Sequence, residues 1–286
     1  MAERGGLAPA RLTEIVRRFE GEGTDTLEVR GDVGSTAWIS CAGRLPWGQP
    51  LDQRPDEAHS LVYTWEPEAS EVEILGHPRL SLRLVSSSPV VFLSAKLCDV
   101  FPDGTSVLVS RGLLNLAHRD SSVTPRPLDP GATYEVDVDL DATSWVFEAG
   151  HRLRLAIAGA DWPNIWPPPS SAELSVDRSG IGLTLPVIPD GLDAHRAVPV
   201  FAAAPSDGDP HSADSGVVAP VTWRIEHDVI PRETRAVIAH GSEYRAEHGA
   251  DVRESYSGTV AVSTDDPGDA TATATARSRS SGPAMR

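Results

Sequence analysis

The chain has 286 residues, 40% hydrophobic and 23% charged, with 41 acidic against 25 basic side chains and a formal net charge of -16. That composition is a soluble globular one with enough apolar residues for a sizeable core, and the negative charge repels phosphate backbones and anionic lipid, so neither nucleic acid nor a membrane is an expected partner. Cys41 and Cys98 are the only cysteines. They are too few for a disulfide framework or a zinc cluster, and with no apolar run after the polar residues 1–6 a reducing, cytoplasmic address is expected.

The first element reads as helical. Leu12, Ile15, Val16 and Phe19 recur at three-and-four spacing, with Arg11, Glu14, Arg17 and Arg18 off that face, and Gly21 and Gly23 follow as stops. Residues 1–24 are therefore expected to be a short amphipathic helix and linker, covering either the following domain or a neighbour.

From residue 25 to residue 188 the period changes to two. Leu80, Leu82 and Leu84 alternate with Ser81, Arg83 and Val85; Tyr134, Val136, Val138 and Leu140 alternate with Glu135, Asp137 and Asp139; Leu153, Leu155 and Ile157 alternate with Arg152 and Arg154. These are half-buried strands. Turn signals such as Pro102-Asp103-Gly104, Asp129-Pro130-Gly131 and Ala149-Gly150 separate them with no long helical pattern between. The expected fold is all-β, an antiparallel jelly-roll β-sandwich. The acidic outer face of 134–140 and the basic one of 151–157 are expected to lie close, since neighbouring opposite charges favour cross-strand pairs.

Residues 189–215, rich in Pro, Ala, Asp, Ser and Gly, read as a linker, and residues 216–264 hold additional strands near 221–229, 234–239 and 259–262. Residues 265–286 carry Met285 as their only large apolar side chain. A Thr-Ala repeat followed by Arg-Ser-Arg-Ser buries too little to fold, so a disordered tail is expected.

The motifs of catalysis are missing from the sequence. A hydrolase nucleophile on a strand-to-helix elbow needs G-x-S-x-G, which does not occur. The nine histidines form neither H-x-x-x-H nor H-E-x-x-H. Asp137, Asp139 and Asp141 continue a strand rather than open a calcium loop, and there is no glycine-rich phosphate loop. No catalytic residue, metal or cofactor is therefore assigned. The stretch Asp161-Trp162-Pro163-Asn164-Ile165-Trp166-Pro167-Pro168-Pro169 puts two indoles and an amide on a proline-stiffened loop. It suits a sugar-stacking platform or a protein interface, or a loop folded with its indoles in the core.

One run is specific enough to carry a family resemblance. Leu93-Ser94-Ala95-Lys96-Leu97-Cys98-Asp99-Val100-Phe101-Pro102-Asp103-Gly104 resembles a segment of the C-terminal domain shared by Xaa-Pro dipeptidyl-peptidases and cocaine-esterase-like (CocE/NonD) serine hydrolases. Leu128-Asp129-Pro130-Gly131, Tyr134-Glu135-Val136, Val146-Phe147 and Gly150-His151-Arg152-Leu153-Arg154-Leu155 follow that domain in order and spacing, and Asp52-Gln53-Arg54-Pro55-Asp56-Glu57 with Leu61-Val62-Tyr63 looks like its lead-in. The resemblance covers about residues 52–187, more weakly 223–269. It implies a galactose-binding-domain-like jelly roll packed against a preceding α/β-hydrolase domain that holds the catalytic Ser, Asp and His. About 50 residues precede the first motif here, so none of the three is carried over.

The function so implied is that of a non-catalytic β-sandwich of a hydrolase acting on prolyl dipeptides, esters or acyl amides, with an α/β-hydrolase catalytic domain as partner and self-association left open. Asp99, Phe101, Asp103, Arg152, Trp162, Asn164 and Trp166 are its interface or pocket candidates, and Arg152 is expected to pair with Asp99 or Asp103. The alternative is a free-standing carbohydrate-binding module with Trp162 and Trp166 as platform.

Overall fold

The computed structural model describes residues 12–37, 52–189, 216–246 and 249–282. Cys41 and nearly all of the segment read as a linker lie outside these. Fifteen strands are present among the described residues, in three antiparallel sheets.

In the first sheet, β4 (Val72–Gly76), β5 (Arg79–Ser86), β8 (Thr133–Asp139), β9 (Thr143–Phe147) and β11 (Glu173–Val187) run in the order β8-β5-β11-β4-β9, and β1 (Thr13–Arg18) and β2 (Thr24–Glu28) also pair with β11. The second has the order β3-β10-β6-β7, from β3 (Leu61–Thr64), β6 (Phe92–Val100), β7 (Ser106–Asn115) and β10 (Arg152–Ala158). Alternation decides which side chains meet between them. Leu80, Leu82 and Leu84 of β5, Val136 and Val138 of β8, and Leu174, Val176, Leu183 and Leu185 of β11 pack in one core with Leu93, Ala95, Leu97, Leu153, Leu155 and Ile157 of the second sheet. Each of these Leu, Val and Ile side chains contributes about 1.5–3 kcal/mol on full burial. The apolar positions of β11 switch from even to odd between Val176 and Leu183, and a register break between Asp177 and Gly182 keeps both halves facing the core.

The segment expected to be a helix is β1. It pairs residue by residue with β11 from Thr13 opposite Val187 to Arg18 opposite Gly182. Leu12 and Val16, two of the four residues of the supposed helix face, are exposed, while Ile15, Arg17 and Phe19 alternate as half-buried. Tertiary pairing on the long β11 and the β-branched Thr13, Ile15 and Val16 outweigh a chance helical spacing.

The acidic and basic strands are not neighbours. β8 belongs to the first sheet and β10 to the second; the acidic face of β8 instead meets β5, where Arg79 bonds Asp139 and Arg83 bonds Glu135. A strand's cations are found on its actual partner, and hydropathy alternation does not name the partner.

The third sheet has the order β12-β13-β14-β15, with β12 (Gly216–Asp228), β13 (Glu233–Arg245), β14 (Asp251–Ser263) and β15 (Ala270–Ser281). The tail expected to be disordered is thus β15 over most of its length, paired with β14 from Val262–Ala270 to Asp251–Ser281. Thr-Ala alternation is a strand pattern, and a full ladder on β14 satisfies the backbone without a core of its own. This sheet meets the sandwich at one end. Trp162 is wholly buried against Ala236 and Val262, with Ile225, Val260 and Ala270 around it; Thr234 Oγ1 donates to Asp32 Oδ2 at 2.8 Å, and Ser171 Oγ donates to the Asp265 carbonyl at 2.9 Å.

Candidate interface site

Both faces of β6 are covered, which sets the chemistry of its outward side. Leu93, Ala95 and Leu97 enter the core, and Ser94, Lys96 and Cys98 face the other way yet are also buried. A short helix α1 (Arg54–Glu57) and the turn Ser35–Ala37 contribute to this covering layer. Six ionic side chains are trapped there, three of each sign. Lys96 Nζ is 2.9 Å from Asp56 Oδ2 and 3.7 Å from Asp161 Oδ1. Arg111 Nη1, from the neighbouring strand, is 2.9 Å from Asp161 Oδ2, and Arg154 Nη1, on the other side of β6, is 2.6 Å from Glu57 Oε2. Thr36 donates to Asp56 through its backbone N–H and its hydroxyl, and Ser106 Oγ donates to Glu57.

Asp161 is the hub between this layer and the aromatic loop. Burial pushes its carboxyl up, against the pull of Lys96 and Arg111 and the hydrogen bond from Asn164. Register places Lys96 directly opposite Arg111, so the Asp161 carboxylate between them relieves the repulsion of two like charges. Gly34 backs this loop with φ +125°, and a Cβ there would stand 2.6 Å from the backbone of Asp161 and Trp162; only glycine lets the two segments approach so closely.

The residues read from the sequence as candidates fall into two groups, at the 99–104 turn and on the 161–166 loop. Asp99 is buried and accepts hydrogen bonds from Trp145 Nε1 at 3.1 Å and from His151 Nδ1 at 3.0 Å. The Phe101 ring lies 4.6 Å from that of His151. Asp103 is exposed and accepts from the Thr105 N–H at 2.9 Å, a bond that holds its carboxyl below the usual range. Arg152 does not pair with either aspartate: it is exposed, its Cα opposite Val100, and the neighbouring His151 takes the Asp99 carboxylate. Alternation explains this, because Asp99 shares the face of Leu153, its partner across the ladder, and Arg152 points the other way.

On the loop, Asn164 Nδ2 donates to Asp161 Oδ2 at 2.9 Å. Trp162 is fully buried and Trp166 is 55% exposed, so the two indoles do not form a shared platform. Trp162 is the anchor of the third sheet instead. Sequence reasoning missed the ionic layer, although one signal was available: the sole lysine stands between Ala95 and Leu97 in a strand otherwise nearly free of charge, and a charge there must be paired if that face is covered.

His151 does not have the geometry of a hydrolase base. A catalytic imidazole held by a carboxylate on one nitrogen turns the other to a nucleophile; His151 Nε2 has Glu148 Oε2 at 4.0 Å. No group of three His, Cys, Asp or Glu able to hold a metal exists among the described residues, and no helix among them is long and apolar enough to cross a membrane.

Two packed antiparallel sheets with one shared core define this part of the chain as an all-β sandwich. The family described as the X-Pro dipeptidyl-peptidase C-terminal non-catalytic domain matches residues 13–200, and the chain belongs to it. The cocaine esterase of Rhodococcus sp. (strain MB1 Bresler) is 36% identical over 116 residues, covering 40% of this chain and 20% of that one. A putative Xaa-Pro dipeptidyl-peptidase of Streptomyces avermitilis is 25% identical over 229 residues, covering 64% and 34%. Among solved structures, an aminopeptidase from a marine sediment Thaumarchaeota archaeon superposes with TM-score 0.53 at 20% identity over 60% of this chain and 34% of that one. An α-amino acid ester hydrolase gives TM-score 0.52 at 21% identity over 58% and 32%. The chain spans a fifth to about a third of the length of these proteins.

Proposed function

We propose that this chain is the β-sandwich partner of an α/β serine hydrolase, shaping and shielding an ester- or peptide-binding pocket whose nucleophile lies in another segment or chain. The observation that carries the reading is the match of residues 13–200 to a domain described as non-catalytic. Relatives named as an esterase and as Xaa-Pro dipeptidyl-peptidases support hydrolysis of esters or of prolyl dipeptides as the activity of the assembled protein. The 99–104 turn, fixed by Asp99 and His151, and the 161–166 loop, fixed by Asp161, are rigid surfaces suited to such a partner. A reducing, cytoplasmic setting agrees with the free, buried thiol of Cys98.

The test is treatment of the purified chain with a fluorophosphonate probe, an Ala-Pro-p-nitroanilide and a p-nitrophenyl ester. No labelling and no turnover are expected. Stoichiometric labelling of one serine, with turnover lost on its substitution by alanine, would overturn the reading.

A further inference from the structure

The third sheet has two unlike faces. Its ladders keep one parity across all four strands from Trp223 opposite Ile238 onward. Arg224, Arg235, Glu243, Arg253, Arg277 and Arg279 fall on one face, with Thr271, Thr273 and Thr275 between them. Ile238, Tyr256, Val260, Ala272, Ala274 and Ala276 fall on the other, which also carries Ser242, Ser278, Ser280 and one carboxylate, Glu254, toward its outer end.

The apolar face is used only at its inner end. There Ala236 and Val262 close over Trp162. Beyond that seat Ala272, Ala274 and Ala276 are exposed. Tyr244 and Tyr256 are 38% and 40% exposed, and His240 stacks on Tyr256 with ring centroids 4.8 Å apart. A sheet with one apolar face needs a second layer against it. Four strands of 12–13 residues span a face of about 800 Å² at ordinary strand spacing and rise, its inner end taken by Trp162. That is about the size of one side of a standard protein interface.

We propose that this face, from Ile238 to the Tyr256 and Ala276 end, is where the α/β-hydrolase partner docks. The inference rests on the function proposed above and adds the surface. Three observations select that occupant. The face continues a junction already made with the sandwich at Trp162, so a body beside the 161–166 loop reaches both at once. The relatives are three to five times the length this chain covers in them, which supplies a body large enough to bury the face. A second copy is disfavoured because two chains of net charge -16 repel. Small alanines on β15 let a partner backbone come close, and the stacked His240–Tyr256 pair supplies an aromatic anchor.

The test uses the full chain carrying Cys41→Ser, so that the remaining native thiol is the buried Cys98, and adds either Ala274→Cys on the apolar face or Thr273→Cys on the polar one. Maleimide labelling is timed alone and with saturating hydrolase portion of the Streptomyces avermitilis relative, with complex formation followed by size exclusion and light scattering. Labelling at position 274 is expected to slow at least tenfold in the complex and labelling at 273 to stay unchanged. A complex in which both positions label at their free rates would overturn the docking face and leave the proposed function standing. Protection of position 274 in the chain alone, growing with its concentration, would assign the face to a second copy and overturn the inference. Absence of any complex would overturn the docking face, while the proposed function is decided separately by the fluorophosphonate and turnover assays above.

Discussion

Lys96 Nζ and Asp56 Oδ2 meet at 2.9 Å where both side chains are about 95% shielded from water. The pair ties α1 to the middle strands of the second sheet, and it belongs to a layer whose three cations and three carboxylates balance. A buried pair is costly to break because one removed partner leaves the other charge unsolvated. Lys96→Met is therefore expected to cost about 3–5 kcal/mol, a fall of about 10 °C in Tm for a domain of this size. Arg79→Met is the control, since its pair with Asp139 is exposed, is screened by solvent, and is expected to leave Tm nearly unchanged when lost. Thermal scans of the two variants check the contrast; equal shifts would show that the ionic layer is not holding the covering segment.

The sandwich was legible because its signal is local. Leu80-Leu82-Leu84 and Leu153-Leu155-Ile157 announce buried faces by period alone, and the Phe101 to Gly104 turn closes where Pro102-Asp103-Gly104 said it would, with the Gly104 N–H donating to the Phe101 carbonyl at 2.9 Å. What stayed hidden depends on partners distant in sequence. β1 looks helical until β11 is placed beside it, and β15 looks unfoldable until β14 supplies a ladder. Asp99 finds His151 rather than Arg152 through ladder parity, which a linear reading does not contain. The ionic layer draws on residues 56, 57, 96, 111, 154 and 161, and no spacing rule joins them.

Acid should loosen the junction between the third sheet and the sandwich through Asp32. Burial raises its carboxyl, but hydrogen bonds from Arg30 and Thr234 outweigh burial and hold it below the ordinary value. A carboxyl depressed in the folded state stabilises the fold above its unfolded pKa of about 4. That contribution is lost as pH falls through the lower folded value. Asp32→Asn is therefore expected to lower Tm at pH 7 and to approach the parent chain below about pH 4. Tm measured for both from pH 7 to pH 2.5 checks the sign; a constant gap across that range would exclude Asp32 ionisation as its source.

Trp162 carries the mechanical link between the two parts of the molecule. Its indole is fully buried against Ala236 and Val262, while its backbone N–H donates to the Val33 carbonyl at 2.8 Å, so one residue holds the 29–34 segment and the third sheet together. Truncation to alanine is expected to cost about 3–5 kcal/mol. The loss should be uneven, because the sandwich core is a separate cluster that does not include Trp162. In Trp162→Ala, hydrogen exchange is expected to accelerate in β13 and β14 and to stay slow in β5 and β10, and mild proteolysis should release the third sheet first. Exchange accelerating equally in β5 and β13 would mean that sheet and sandwich unfold as one cooperative unit, with Trp162 part of a common core rather than a joint.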